Sequence, residues 1–75
     1  MDINESQFLS ELGNKIKEIR MNSDISLKEL SRLSGIDFET LKIIEAGSIS
    51  VDLLDFVSIA KSLNVPPSTL VEFTK

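Results

Sequence analysis

The sequence predicts an all-α fold of five helices with short connections, and three observations carry that prediction. Apolar residues recur at spacings of three and four, as they do along one face of a helix. Residues that favour the two ends of helices divide the chain into segments of helical length. Every run of β-branched residues is interrupted by helical spacing or by a cap, so no strand is expected. A chain of 75 residues holds one small domain, 1–75.

The first helix is predicted from about residue 5 to residue 22. Gly13 lies inside it and costs about 1 kcal/mol relative to alanine, which indicates that a neighbouring backbone comes close there. The apolar stripe of this helix consists of Phe8, Leu12, Ile16 and Ile19.

The second helix begins at a sequence typical of a capping box. Ser26 is placed to accept a hydrogen bond from an amide of the first turn, and Glu29 to reach back to the Ser26 amide. The helix continues to Ser34, and Gly35 follows where a left-handed residue ends many helices. Its inward residues are predicted to be Leu30 and Leu33.

The last three helices are predicted from the same kinds of signal. Asp37 caps a third helix of about nine residues, which has Leu41 and Ile44 on one face and ends at Gly47. Asp52 caps a fourth helix, whose predicted buried stripe is Leu53, Phe56, Ile59, Ala60 and Leu63. Pro67 opens a short fifth helix, which carries Leu70, Val71 and Phe73.

The composition excludes several classes of function. The chain has no Cys and no His, which removes the usual metal ligands and the usual general base. Its carboxylates are spread over helical faces rather than paired in a cleft, so we expect neither an enzyme nor a bound metal or cofactor. The apolar runs are too short to span a membrane, and Met1 is not followed by a signal peptide. These features predict a cytoplasmic protein.

From Leu12 to Leu70 the chain resembles the lambda-repressor-like, or Cro/repressor (XRE-type), helix-turn-helix family. The resemblance covers about four fifths of the sequence, with the helix-turn-helix unit at about 26–47. The residues that carry it are Leu12, Gly13, Ile16, Ile19, Arg20, Ser26, Glu29, Leu30, Gly35, Ile36, Thr40, Leu41, Ile44, Glu45, Gly47, Ile59, Ala60 and Leu63.

The resemblance implies a transcriptional regulator that binds a double-stranded DNA operator as a homodimer, with its third helix in the major groove. It also implies a structural ion pair between Arg20 and Glu45. The residues that would face the bases are Phe38, Glu39, Lys42 and Ile43. The residues that would contact phosphate are Ser26, Lys28, Thr40, Ser48 and Ser50.

Each of these assignments has an alternative. Glu45 could be an ordinary solvated carboxylate, Phe38 could pack into the core, and the lysines could simply face water. The formal charge of −4 opposes attraction to nucleic acid. An apolar face of Leu27, Phe38 and Ile43 would suit a protein partner, so the alternative function is an interaction module or antirepressor with little or no DNA binding. Val71 and Phe73 hint at a dimer contact, unless they pack on the fourth helix.

Overall fold

The computed structural model describes residues 4–73, which form four α-helices followed by a 3₁₀ helix. The elements are α1 (Glu5–Asn22), α2 (Leu27–Ser34), α3 (Phe38–Glu45), α4 (Leu53–Ser62) and the 3₁₀ helix (Pro67–Val71). The predicted all-α class is confirmed, and no strand occurs between residues 4 and 73. The fifth element is a 3₁₀ helix rather than an α-helix, a form that is common in segments as short as its five residues.

Side-chain caps begin the helices at the predicted residues. The hydroxyl of Ser26 accepts a hydrogen bond from the amide three residues on at 3.0 Å, and the Asp37 and Asp52 carboxylates accept from amides two and three residues on at 3.0 and 2.8 Å. The second hydrogen bond of the predicted capping box, from the Ser26 amide to the Glu29 carboxylate, was predicted wrongly. Glu29 does not return to the Ser26 amide, because its carboxylate accepts two hydrogen bonds from Arg32 on the next turn of α2.

Two glycines allow parts of the chain to approach closely. A Cβ atom at Gly13 would lie 2.5 Å from the carbonyl oxygen of Glu45, so the absence of a side chain lets α1 and α3 pack at backbone distance, as the sequence predicted. Gly47 has a φ of +75°, and the amide of Ser48 beyond it donates to the carbonyl of Ile43 at 3.1 Å. This arrangement is a Schellman motif, which ends α3.

The core lies where all five helical elements converge. Its side chains come from α1, α2, the turn after α2, α3, α4 and the 3₁₀ helix, so each element buries its apolar face against the others. The buried apolar residues are Leu12, Ile16, Leu30, Ile36, Leu41, Ile44, Ile59, Ala60, Leu63 and Leu70.

The burial of some apolar residues was predicted wrongly. Leu53, the first residue of α4, was predicted to be buried but is 73% exposed. Leu33 is 44% exposed at the end of α2. Val71 and Phe73 are half-buried against the core, and the Phe73 ring lies 5.4 Å from the ring of Phe8 on α1. Packing within the chain was the alternative left open for these two residues, and the Phe73 ring meets α1 rather than α4.

Candidate nucleic-acid interface

A three-residue turn joins α2 to α3. Gly35 has a φ of +76°, the left-handed conformation that ends α2. The hydroxyl of Ser31 donates to the carbonyl of Ile36, while the Ile36 amide donates to the hydroxyl of Ser34 at 3.2 Å. Because the Ile36 side chain is also buried, the turn fixes the angle at which α3 leaves α2.

An ion pair holds α3 against α1. Arg20 donates from Nε to one carboxylate oxygen of Glu45 at 2.7 Å and from Nη2 to the other at 3.1 Å. Its Nη1 donates to the carbonyl of Ile25 at 2.9 Å. The two side chains are 12% and 8% exposed, so the pair is almost excluded from water. A bidentate contact of this kind fixes orientation as well as distance, and it sets the rotation of α3 about its axis.

The outward face of α3 consists of the residues predicted to read bases. Glu39, Lys42 and Ile43 are exposed, while Phe38 is half-buried. The ammonium of Lys42 lies 3.8 Å from a carboxylate oxygen of Glu39 and 5.9 Å from the ring centre of Phe38. Chemically, the lysine adds positive charge to this face, the glutamate can accept from the cytosine amino group, and the isoleucine can contact a thymine methyl group.

The residues predicted to contact phosphate lie on three segments of the chain. Two lie at the start of α2, one lies in the first turn of α3, and two lie in the loop after α3. Within residues 4–73 no hydrogen bond joins any two of them, and the Ser50 hydroxyl donates instead to a carboxylate oxygen of Glu5 at 3.4 Å. The five residues are Ser26, Lys28, Thr40, Ser48 and Ser50.

A shallow groove of about 310 Å³ lies beside α3. It is lined by Lys17, Arg20, Leu27, Lys42, Glu45 and Ala46. Sequence reasoning did not assign Lys17 to the site, although its position three residues before Arg20 puts both on one face of α1. Leu27 packs partly against the core. Of the three residues proposed as an apolar face, Ile43 is the most exposed, at 40%.

The positive charge around α3 is partly neutralised by neighbouring carboxylates. Hydrogen bonds from Arg32 hold the pKa of Glu29 below its ordinary value, and the same contact raises the pKa of Arg32. Both groups are therefore charged at neutral pH. Lys17 and Lys28 form no ion pair with any residue between 4 and 73. These two lysines carry the uncompensated charge near the candidate interface.

Comparison with known proteins decides the family. The family described as Helix-turn-helix, HTH_3, matches residues 16–70. The chain belongs to this helix-turn-helix family. The predicted resemblance to XRE-type helix-turn-helix regulators is confirmed. No curated protein matches the sequence.

Solved structures of the helix-turn-helix family superpose closely on this fold. The restriction-modification controller protein C.AhdI from Aeromonas hydrophila is 29% identical, with a TM-score of 0.81 over 83% of this chain and 94% of its own. An HTH_3 family transcriptional regulator from Vibrio cholerae is 25% identical, with a TM-score of 0.87 over 95% of this chain and 40% of its own. A hypothetical transcription factor, NHTF from Neisseria, shares the fold at 23% identity and a TM-score of 0.82, over 92% of this chain and 79% of its own.

None of the helices between residues 4 and 73 is both long enough and apolar enough to cross a membrane.

Proposed function

We propose that this protein is a sequence-specific DNA-binding transcriptional regulator that places α3 in the major groove of its operator. One observation carries the proposal. α3 buries Leu41 and Ile44 and is pinned to α1 by Glu45, so its remaining polar and apolar side chains point outward from a rigid support. A helix held in this way can enter a groove about 12 Å wide without losing order. Membership of the helix-turn-helix family supports the same function.

Contacts to phosphate would come from the edges of this surface. Lys17 and Lys28 are exposed and unpaired within the described chain, and they can replace counterions on the DNA backbone. The hydroxyls of Ser26, Thr40, Ser48 and Ser50 would add neutral hydrogen bonds that position the helix. We propose binding as a two-fold dimer to two half-sites, with both copies in the cytoplasm alongside the DNA.

The decisive experiment is selection from a random double-stranded DNA library, followed by titration of the enriched sequence at two salt concentrations. We expect one sequence to be enriched and its affinity to fall as salt rises, because bound lysines release counterions. Failure to enrich any sequence would contradict the proposal.

Two substitutions on α3 separate affinity from specificity. Lys42→Ala should weaken binding to all sequences to a similar extent, as expected for lost charge. Glu39→Gln should change the preferred base, because an amide pairs with adenine where a carboxylate accepts only from cytosine. The two residues are neighbours on α3 and form one ion pair at 3.8 Å, so the double variant has to be measured beside the two single variants to separate their effects. If Glu39→Gln changed the affinity by the same factor whichever base stood opposite it, Glu39 would not be a base-reading residue.

A second candidate function is a protein-interaction module, such as an antirepressor of a related regulator. The formal charge of −4 and the exposed Ile43 on α3 favour it. Binding through an apolar surface is nearly independent of salt, whereas binding to phosphate is not. If the selection yields no DNA sequence, titration against a candidate regulator at the same two salt concentrations tests this function.

A further inference from the structure

The outward surface of α3 lacks the side chains that usually read purines. The sequence of α3 contains no Arg, Asn or Gln, the residues that form paired hydrogen bonds to guanine and adenine. Its exposed residues are Glu39, Lys42 and Ile43. Both purines display the acceptor nitrogen N7 in the major groove, and an acceptor repels a carboxylate. Glu39 therefore favours a pyrimidine that offers a hydrogen-bond donor.

Lys42 is turned away from Ile43. The ammonium of Lys42 lies 3.8 Å from a carboxylate oxygen of Glu39, three residues earlier, and 5.9 Å from the ring centre of Phe38, four residues earlier. The lysine side chain therefore runs toward the start of α3 and leaves Ile43 uncovered, at 40% exposed. A carboxylate has about four acceptor sites, so Glu39 can hold the lysine and still accept a hydrogen bond from a base.

Glu39 and Ile43 lie next to each other on the outward side of α3. Residues four apart on a helix have Cβ atoms about 5–6 Å from each other. A hydrogen bond from an amino nitrogen to a carboxylate oxygen spans about 2.9 Å, and apolar carbons touch at about 4 Å. A base that carries an amino group and a methyl group on adjacent ring carbons can therefore meet both side chains at once.

We propose that Glu39 and Ile43 together read 5-methylcytosine, so that the protein binds a methylated DNA site more tightly than the unmethylated one; this rests on the proposed function. Cytosine offers the amino group that Glu39 requires but has no methyl group at C5. Thymine has the methyl group but displays an acceptor oxygen in place of the amino group. 5-Methylcytosine carries both groups on one base, and it satisfies both side chains.

The expected effect is that of burying one methyl group. Unmethylated cytosine leaves only a hydrogen atom where the methyl group would meet Ile43. Burying a group of that size against an apolar side chain should tighten binding about fourfold. Over two half-sites the factors multiply to about 16-fold, because the two contacts are far apart and independent.

The first measurement compares four forms of one DNA duplex. Selection from two random libraries, one ordinary and one prepared with 5-methylcytosine in place of cytosine, supplies the duplex. The position that Glu39 reads is the one whose preferred base changes in Glu39→Gln. That position then carries cytosine, 5-methylcytosine or N4-methylcytosine opposite guanine, or thymine opposite adenine, and the dissociation constant of each duplex is measured at one salt concentration.

We expect 5-methylcytosine to bind about fourfold more tightly than cytosine per half-site. Thymine should bind less tightly than cytosine, because its acceptor oxygen faces the Glu39 carboxylate. N4-methylcytosine is the matched control on the DNA. It carries the same added carbon, but there the methyl group replaces the amino hydrogen that faces the groove, so it should also bind less tightly than cytosine.

Variants of the two reading residues should separate the two contacts. Ile43→Ala should bind cytosine and 5-methylcytosine equally while still preferring cytosine to thymine. Glu39→Gln should lose the preference for cytosine over thymine, since an amide also donates, and should keep the preference for the methyl group. Ile49→Ala is the matched control on the protein, because Ile49 is 38% exposed in the loop after α3 and its loss should change neither preference.

Each outcome bears on the inference. Equal affinity of the unaltered protein for cytosine and 5-methylcytosine would overturn it, whether or not the variants fold. A methyl preference that persists in folded Ile43→Ala would overturn it too. If a DNA sequence is bound and methylation of this cytosine has no effect, the reading of 5-methylcytosine fails and the proposed function stands. If neither library yields an enriched sequence, both fail.

Discussion

Replacing Glu45 by alanine tests how much the contact between α1 and α3 stabilises the fold. The substitution leaves the guanidinium of Arg20 with its bond to the Ile25 carbonyl but without its counterion, in a position that is 12% exposed. Breaking a buried ion pair by removing one partner costs about 3–5 kcal/mol. Because a small part of this pair meets water, we expect about 3 kcal/mol, at the lower end of that range.

In a domain of this size, 1 kcal/mol shifts the melting temperature by roughly 4–8 °C. Glu45→Ala should therefore lower it by roughly 12–24 °C, as followed by far-UV circular dichroism at neutral pH. Glu39→Ala is the matched control, because its ion pair with Lys42 lies on the exposed face of α3 and should contribute less than about 1 kcal/mol. A Glu45→Ala protein with an unchanged melting temperature would refute the assignment of a structural role to this pair.

Three further substitutions test local features of the fold. Gly13→Ala should lower the free energy of unfolding in urea by about 2 kcal/mol, despite the better helix propensity of alanine, because its Cβ would lie 2.5 Å from the Glu45 carbonyl oxygen. Asp52→Ala removes a 2.8 Å cap from α4 and should cost about 1 kcal/mol in the same assay. Arg32→Ala should raise the pKa of Glu29 toward its ordinary value, as measured by NMR titration. Since folding lowers that pKa, the contact stabilises the fold at neutral pH and its contribution is lost as the pH falls through the pKa.

The helices were predictable because the signals at their ends involve only residues close together in the sequence. Ser26, Asp37 and Asp52 each cap the helix that follows them, and such caps need only three or four neighbouring residues to act. Gly35 and Gly47 likewise adopt the left-handed conformation where the sequence placed helix ends. Signals of this range can be recognised without knowing what packs against the helix.

Leu53 shows what helical periodicity leaves out. The spacing of apolar residues gives the direction of a side chain around the helix axis, and by that measure Leu53 points nearly the same way as the buried Ala60. The spacing does not show how far along the helix axis the neighbouring elements extend. α4 packs on α2 and on the 3₁₀ helix, and its first residue, Leu53, is left exposed while Phe56, three residues on, packs against the core. The position of those neighbours depends on contacts between residues that are distant in sequence.

The candidate site was predictable in its position and less so in its chemistry, because the fold constrains only part of α3. Leu41, Ile44 and Glu45 must stay as they are to pack against the core and to pair with α1. The outward residues of α3 have no such requirement, so they can change without loss of the fold. Family membership therefore rests on the inward residues, whereas the proposed DNA recognition would rest on Glu39, Lys42 and their neighbours. Because of this separation, the fold keeps its shape whether the outward face of α3 is acidic, basic or apolar. Binding therefore has to be tested on the outward residues themselves.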